Sequence, residues 1–422
     1  MNVSVHRAFS FLRTYGYERV SCSKEERTVA EALLNECTSL GVSAQLEEFT
    51  VPCGRVSHAL LRVTSPYVKE YEVTGYERAA STPEGGLDAE FLYVENADEV
   101  LLEQAKGKIV LVNGYLNRAT YEKLRKAEAA AILTFTGRTI DRESESDLNR
   151  CKLRETLTEP FGAIPVLNMR AASAAEIVRR GAKTVHIELT GECYDGTSQN
   201  VCATIPGTDK PSEVITLGGH YDSVYFSSGV HDNLSGSVIV LELLRYFAAH
   251  PPRRTLRFCW FGSEEQGLLG SKAYVKAHAD ELKACVAMLN FDVAAPTLGS
   301  NHLVTLATDD ALHYVAGVLR EAGYGVRAKQ DTYSSDCIPF ADNGVPAINL
   351  ARFGANGADY MHNRHDSLKS GYLDEHALDI TLQQGFVLLD RLANAASFPI
   401  KREIAPEIRQ KVDEYLFKAK KE

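Results

Sequence analysis

One stretch limits this chain more than any other: Val214–Gly236, VITLGGHYDSVYFSSGVHDNLSG. Val214–Leu217 is a short β-branched and aliphatic run of the kind that forms a buried strand. Gly218 and Gly219 close that strand, and His220 and Asp222 follow where the chain leaves the sheet. In open α/β sheets, ligands bind outside the carboxyl ends of strands. Asp232 comes ten residues after Asp222, just ahead of an apolar-periodic run from Leu234. One short segment thus brings an imidazole and two carboxylates to one rim. A solvated turn with a helix cap uses the same residue types, so this segment alone leaves a metal site and a capped turn both open.

The rest of the C-terminal part alternates strand and helix. Asn200–Gly207, Arg254–Phe261, Ala284–Asn290 and Val345–Leu350 read as further strands. Residues from about Asn233 to Ala249, stopped by Pro251-Pro252, read as a helix, as do Asp310–Ala322 and Tyr372–Ala396. This pattern predicts an α/β fold: a mixed, mostly parallel sheet with helices on both faces. At the N-terminus, Ser23-Lys24-Glu25-Glu26 fits a capping box, with Val29, Leu33, Leu34 and Cys37 as a helical stripe and Gly41 as a stop. Val42–Val51 reads as a strand, and Arg402–Lys420 as a charged terminal helix.

Residues 55–190 differ in character. Lys108–Val112, Ala131–Phe135, Ala163–Leu167 and Val185–Leu189 read as strands, and Tyr121–Ala129 and Ala171–Arg180 as helices. None carries a cluster of His, Cys and carboxylates, and Thr136–Pro160 reads as an exposed mobile loop. A chain of 422 residues is long for one core. The expected organisation is a discontinuous domain, 1–54 with 191–422, interrupted by a smaller β-rich α/β domain at 55–190.

Net charge −10 argues against nucleic acid and anionic membrane surfaces as partners. No apolar run approaches the ~18–20 residues of a membrane span, and the first residues lack a secretion signal's apolar core and cleavage site. Nine cysteines without paired spacing, among them Cys259 and Cys285 in apolar runs, point to reduced thiols and a cytoplasmic location.

Three more strand ends carry the residue types found at His220. Arg254–Phe261 runs into Gly262-Ser263-Glu264-Glu265, Ala284–Asn290 into Phe291-Asp292, and Val345–Leu350 is followed by a loop holding His362 in HNRHDS. Adjacent glutamates are usually a solvated face, but these follow an apolar strand and precede a Gly-bounded helix start. The count is two histidines and three carboxylates as candidate ligands, with one glutamate to spare. Oxygen and imidazole donors without thiolate suit zinc, with cobalt or manganese as alternatives. Two metals sharing one carboxylate fit this count, and such a pair activates water for hydrolysis, with the spare glutamate free to move the proton.

GGHYDS, HDNLSG, FGSEEQGLLGS, LNFDV and HNRHDS, in this order, resemble the co-catalytic zinc aminopeptidase family. That family also holds glutamate-carboxypeptidase-like enzymes and the transferrin-receptor ectodomain. The resemblance covers residues 198–370, and residues 55–190 are similar, less strongly, to the protease-associated domain often inserted there. It implies a zinc-exopeptidase fold with His220 and Asp292 on one zinc, Glu265 and His362 on the other, and Asp232 as the bridge. It further implies Glu264 as general base, Asp222 as the partner orienting His220, and a cis Asp232–Asn233 peptide bond. Two positions depart from the pattern. His231 stands where an acidic residue is common, as a neighbour or as an extra rim group. In Thr332-Tyr333-Ser334-Ser335-Asp336-Cys337 a cysteine replaces a histidine. Tyr333 is there the nearest candidate to polarise the substrate carbonyl, or else a loop aromatic.

The resemblance implies an aminopeptidase acting on peptides with a free N-terminus, and a homo-oligomer is compatible with it. A carboxypeptidase or dipeptidase shares the chemistry, and Arg352 or Arg364 could capture a carboxylate. A glutaminyl-cyclase-like acyltransferase and a non-catalytic binding protein are weaker alternatives, since all five ligands and the base are present. His365 competes with His362, but the H-x-x-x-D-[ST] spacing selects His362.

Overall fold

A computed structural model describes residues 3–114, 116–142, 148 and 150–418. The chain divides into two compact units, Met1–Val51 with Thr197–Glu422, and Pro52–Gly196.

The larger unit starts with helices α1 (Val5–Tyr15) and α2 (Lys24–Ser39) and the first part of strand β1 (Ser43–Ser65). Ser23 caps α2, its hydroxyl accepting from Glu26 N at 3.0 Å, and Val29, Ala30, Leu33 and Cys37 form the buried stripe. The capping box is half formed. The Glu26 carboxylate turns inward and accepts from Cys22 N, Ser198 Oγ and Ser263 N.

The smaller unit continues β1 and adds, in order, β2 (Lys69–Tyr71), β3 (Val73–Gly75), β4 (Leu87–Tyr93), α3 (Glu99–Leu102), β5 (Ile109–Leu111), α4 (Arg118–Lys126), β6 (Ala131–Thr136), α5 (Glu155–Phe161), β7 (Val166–Arg170), α6 (Ala171–Arg179) and the start of β8 (Thr184–Ile205). Strands β4, β5, β6 and β7 are parallel neighbours, flanked by antiparallel β8 and β3. Ile109 and Leu111 enter one apolar cluster and Val110 the other, so β5 buries both faces. Thr136–Pro160 is not one loop. It holds most of α5, anchored by buried Leu157, and part of it lies outside the described residues.

The larger unit resumes with the end of β8, then β9 (Lys210–His220), α7 (Ser235–Ala249), β10 (Arg254–Phe261), α8 (Leu269–Ala277), β11 (Cys285–Phe291), β12 (Gly299–Leu306), α9 (Asp309–Glu321), β13 (Arg327–Gln330), α10 (Cys337–Asp342), β14 (Ala347–Gly354), α11 (Glu375–Asn394) and α12 (Pro406–Tyr415). Its strand order is β13-β12-β14-β11-β9-β10-β8. The central four, β14, β11, β9 and β10, are parallel; β12 is antiparallel to β14 and parallel to β13, and β8 is antiparallel to β10. This is the mixed, mostly parallel α/β architecture expected from the sequence. Leu256, Phe258 and Trp260 of β10 enter the core under α7 and α11, while Cys259 and Phe261 enter the core under α8 and α10. Both faces are covered, as a parallel sheet requires. Phe261 pairs with His220, and Phe291 with Leu350. The four parallel strands therefore end at one rim.

Strands β12 and β13 escaped the sequence reading because the first half of one and all of the other are polar. Among the described residues no helix is long and apolar enough to cross a membrane. None of the nine cysteines is in a disulfide.

Candidate metal centre

The rim is built by glycine as much as by its polar side chains. A Cβ on Gly219 would meet Phe291 O at 3.0 Å, and one on Gly236 would meet the same oxygen at 2.1 Å. Bare backbone at these points lets the start of α7 rest against the ends of β9 and β11. Ahead of α7 the chain makes a kinked turn, Val230–Leu234, in which Asp232 and Asn233 have non-helical dihedrals. The helix therefore starts at Ser235, two residues later than its periodicity suggested. The Asp232–Asn233 peptide bond is cis, as the resemblance implies.

His220, at the end of β9, points Nε2 at Asp232 Oδ1, 3.1 Å away, and at Asp292 Oδ1, 3.6 Å away. His362, from the loop after β14, points Nε2 at the other oxygen of Asp232, Oδ2, at 3.0 Å, and at Glu265 Oε1 at 3.1 Å. Two triads result, His220-Asp232-Asp292 and Asp232-Glu265-His362, each with its ligand atoms within 4.8 Å of one another and with Asp232 common to both. Glu264 Oε2 lies 3.8 Å from His220 Nε2. All but His362 are largely withdrawn from water. The His362 side chain is 43% exposed, which leaves the site open on that side. Three residues next to or within this set hold left-handed backbone without being glycine: Ser263 (φ 54°), Val293 (φ 67°) and His362 itself (φ 60°). Such conformations gather at functional sites.

Burial and crowding set the protonation of these groups. Desolvation pushes the Glu264 carboxyl well up, opposed by His220 and reinforced by Asp336, Glu265 and Asp292. Burial raises Glu265 and Asp292 as well. Burial lowers the His220 imidazole, but Glu264, Asp222, Asp232 and Asp292 outweigh it and the net shift is strongly upward. Glu265, then Asp232, push His362 up to about 12. Burial alone would raise Asp232, yet the two imidazoles on its oxygens hold it below the usual range. Such a pocket holds too much negative charge for its depth.

The donor set fits divalent metal. A tetrahedral zinc with bonds of ~2.0–2.1 Å places its ligand atoms ~3.3 Å apart, close to the 3.0–3.6 Å from each imidazole nitrogen to its two carboxylates. With both imidazoles neutral, as metal binding requires, Asp232, Glu264, Glu265 and Asp292 carry four negative charges, the charge that two divalent cations would offset.

The next layer fixes these groups. Asp222, fully buried, stands 3.3 Å from His220 Nδ1 and accepts from Glu264 N (3.0 Å) and Glu265 N (3.2 Å). Asp366 does the same on the opposite side, accepting from His231 N (2.7 Å) and Asp232 N (3.0 Å). Asn233 donates to Phe291 O and accepts from Val293 N, gripping the backbone on both sides of Asp292. The sequence reading missed Asp366 and Asn233 as supports. Both stand inside quoted motifs, HNRHDS and HDNLSG, which was the available signal.

The remaining candidates separate. Tyr333 lies within the field of Asp292, Asp232 and Glu264, which with burial raises its hydroxyl, and its ring meets Phe353 edge-on. Cys337 turns away into the core, its Sγ donating to Met288 Sδ at 3.8 Å. His231 is no rim group: it is fully buried, donates Nδ1–H to Ala294 O at 2.7 Å, and packs edge-on to Tyr372. His365 is exposed and packs on Tyr360. Arg352 is buried, its guanidinium donating to Pro296 O, Thr297 O and Asn301 Oδ1.

A parallel α/β sheet with two carboxylate–imidazole triads at its strand ends defines a metal-dependent hydrolase. Residues 200–383 match the profile of peptidase family M28. The matched stretch holds all five candidate ligands and Glu264, and with the relatives below it marks the chain as a metallo-exopeptidase. The chain is 26% identical over 409 residues to aminopeptidase YwaD of Bacillus subtilis (strain 168), covering 93% of this chain and 84% of that protein. It is 28% identical over 291 residues to carboxypeptidase Q of Mus musculus, covering 66% of this chain and 62% of that protein. The solved structure of BSAP, a zinc aminopeptidase from Bacillus subtilis, superposes with a TM-score of 0.77 at 21% identity, over 96% of this chain and 99% of that one. That match establishes the fold.

Proposed function

We propose that this chain is a di-metal aminopeptidase, loaded with zinc, that removes N-terminal residues from peptides. One observation carries the reading: Asp232 offers its two oxygens to two different imidazoles, each with a second carboxylate beside it. His220 and Asp292 would hold one ion, Glu265 and His362 the other, and Asp232 both. The ions supply Lewis-acid polarisation of the scissile carbonyl and a water of lowered pKa.

The chain's own residues do the rest. Glu264, raised by burial and beside His220 but outside the ligand count, takes the proton of the attacking water at Oε2 and passes it to the leaving amine. Asp222 keeps His220 in one orientation and holds the backbone under Glu264 and Glu265. Tyr333, buried within the field of the same carboxylates, would steady the substrate carbonyl.

Similarity to aminopeptidase YwaD over most of its length supports the amino-terminal direction. So does Arg352, whose donors are committed to Pro296, Thr297 and Asn301. Residues 52–196 give no ligand, and in this reading they form the protease-associated module that restricts substrates to peptides.

The experiment compares amino-acid release from a peptide C-amidated with a free N-terminus and from the same sequence N-acetylated with a free C-terminus, with zinc measured on the purified protein. Release from the first alone, with two zinc per chain, supports the reading. Release from the N-blocked peptide would make the enzyme a carboxypeptidase, and full activity after exhaustive metal removal would defeat the di-metal chemistry.

A further inference from the structure

The link from His220 to Asp232 is irregular. From Tyr221 to Gly229 it is neither strand nor helix, yet it must return Asp232 to within 3.1 Å of His220. Inside the link, Ser223 Oγ donates to Ser227 O at 3.2 Å and Gly229 N donates to Ser227 Oγ at 3.0 Å. The fixing group comes from some 200 residues earlier, between α1 and α2.

Arg19 is fully buried, and its five side-chain bonds all end on backbone carbonyls. Nε donates to Tyr221 O at 2.6 Å. Nη1 donates to Ser228 O at 2.6 Å and to Tyr15 O and Tyr17 O. Nη2 donates to Gly229 O at 2.8 Å. The Arg19 backbone adds a reciprocal pair, donating N–H to Ser223 Oγ at 2.9 Å and accepting from Ser223 N at 3.1 Å. Tyr221 lies between His220 and Asp222, and Gly229 O also receives Leu234 N at 3.0 Å from beyond Asp232. One planar cation therefore grips both ends of the link. The guanidinium suits this because its donors diverge in a rigid fork, while an ammonium presents its donors from one point. The fork reaches neither Glu264 nor the triads by any of these bonds.

We propose that Arg19 is a positioning residue of the metal centre, setting the separation of His220 and Asp232 by clamping the 221–229 link at both ends. The inference rests on the di-metal peptidase reading. Its reach is testable apart from activity, because ligand spacing governs metal affinity.

The test uses the full chain, its Arg19→Lys variant and, as a control on the same N-terminal segment, Arg13→Lys, whose side chain is exposed and pairs with Glu375. Zinc affinity is measured by chelator competition, kcat and KM on an aminoacyl p-nitroanilide, and the thermal midpoint on each metal-free protein. Arg19→Lys is expected to lose at least tenfold in zinc affinity and tenfold in kcat, with KM within twofold, at a temperature where it is folded. Arg13→Lys should match the unmutated chain.

Arg19→Lys with unchanged zinc affinity and kcat overturns the proposal. A loss fully accounted for by the unfolded fraction does so too. If Arg19→Lys does not fold, Ser223→Ala decides, since it removes the strap from Arg19 N and the Ser223–Ser227 bond while leaving the guanidinium in place. At least a twofold loss of zinc affinity supports the proposal, and no change overturns it. An unmutated chain that neither binds zinc nor releases amino acids would defeat the peptidase reading itself, a result distinct from an active enzyme indifferent to Arg19→Lys.

Discussion

Asp222→Asn is the sharpest probe of the layer behind the ligands. The carboxylate makes three contacts with two oxygens: the backbone N–H groups of Glu264 and Glu265, at 3.0 and 3.2 Å, and His220 Nδ1 at 3.3 Å. An asparagine has one acceptor oxygen. Whichever way it is turned, its amide NH2 meets one of the two buried N–H groups donor to donor. A hydrogen bond to a charged group contributes about 1.5–3 kcal/mol, so the metal-free protein should lose roughly that much stability. The same change weakens the hold on His220, and partners of this kind typically alter metal affinity or activity by about 10–100-fold. That range corresponds to ~1.4–2.7 kcal/mol, so the two estimates agree. Chelator competition for zinc, initial rates on an aminoacyl p-nitroanilide and thermal unfolding of the metal-free chain measure the three consequences. Zinc affinity and kcat/KM within twofold of the unmutated enzyme would refute the assignment of Asp222.

Other perturbations reach different links. Glu264→Gln should keep both zinc ions and lose about 10²–10⁴-fold in kcat; loss of metal, or near-normal turnover, would show that Glu264 is not the base. Gly236→Ala would drive a methyl to 2.1 Å from Phe291 O, and the backbone beside Asp292 must move. A loss of about 1–3 kcal/mol or more, read by denaturant unfolding, is expected together with weaker zinc binding. His278 provides a pH test away from the site: burial lowers its imidazole, but Glu47 and Glu281, 2.9 and 3.0 Å from its two nitrogens, outweigh burial and raise it overall. A raised folded pKa stabilises most below the free value of ~6.5, and the benefit is lost as pH rises through the folded value. The midpoint difference between the unmutated chain and His278→Gln should therefore be larger at pH 6 than at pH 9; an equal difference at both would contradict the protonated pair.

Much of this was legible because the site obeys a local rule. Each candidate ligand except His362 stands at or just past a recognisable strand end or just ahead of a helix start. The apolar runs Val214–Leu217 and Arg254–Phe261 announce their strands, and HDNLSG announces the turn. The supports were harder to read. Glu26 looks like the second half of a capping box until the fold turns it inward to Ser263 N. Arg19 has no motif, since its acceptors are carbonyls that any residue carries. Arg352 looks like a substrate clamp in sequence and is a loop tie in structure, because position relative to a strand end does not say which way a long side chain turns. Strand β13, four residues with no apolar run, exists because β12 offers it an edge.

The shared direction of β9, β10, β11 and β14 gives this unit a working rim and a silent one. Every chemical group hangs from the carboxyl ends of these strands, so the segments that lead into them, around 206–209, 250–253 and 343–346, lie at the other end of the sheet. Asn343, in the segment leading into β14, is exposed and has ordinary right-handed backbone (φ −88°). A fluorophore or surface tether attached there would immobilise or report on the molecule with the peptide-facing rim left free, and the strand polarity alone chooses that handle.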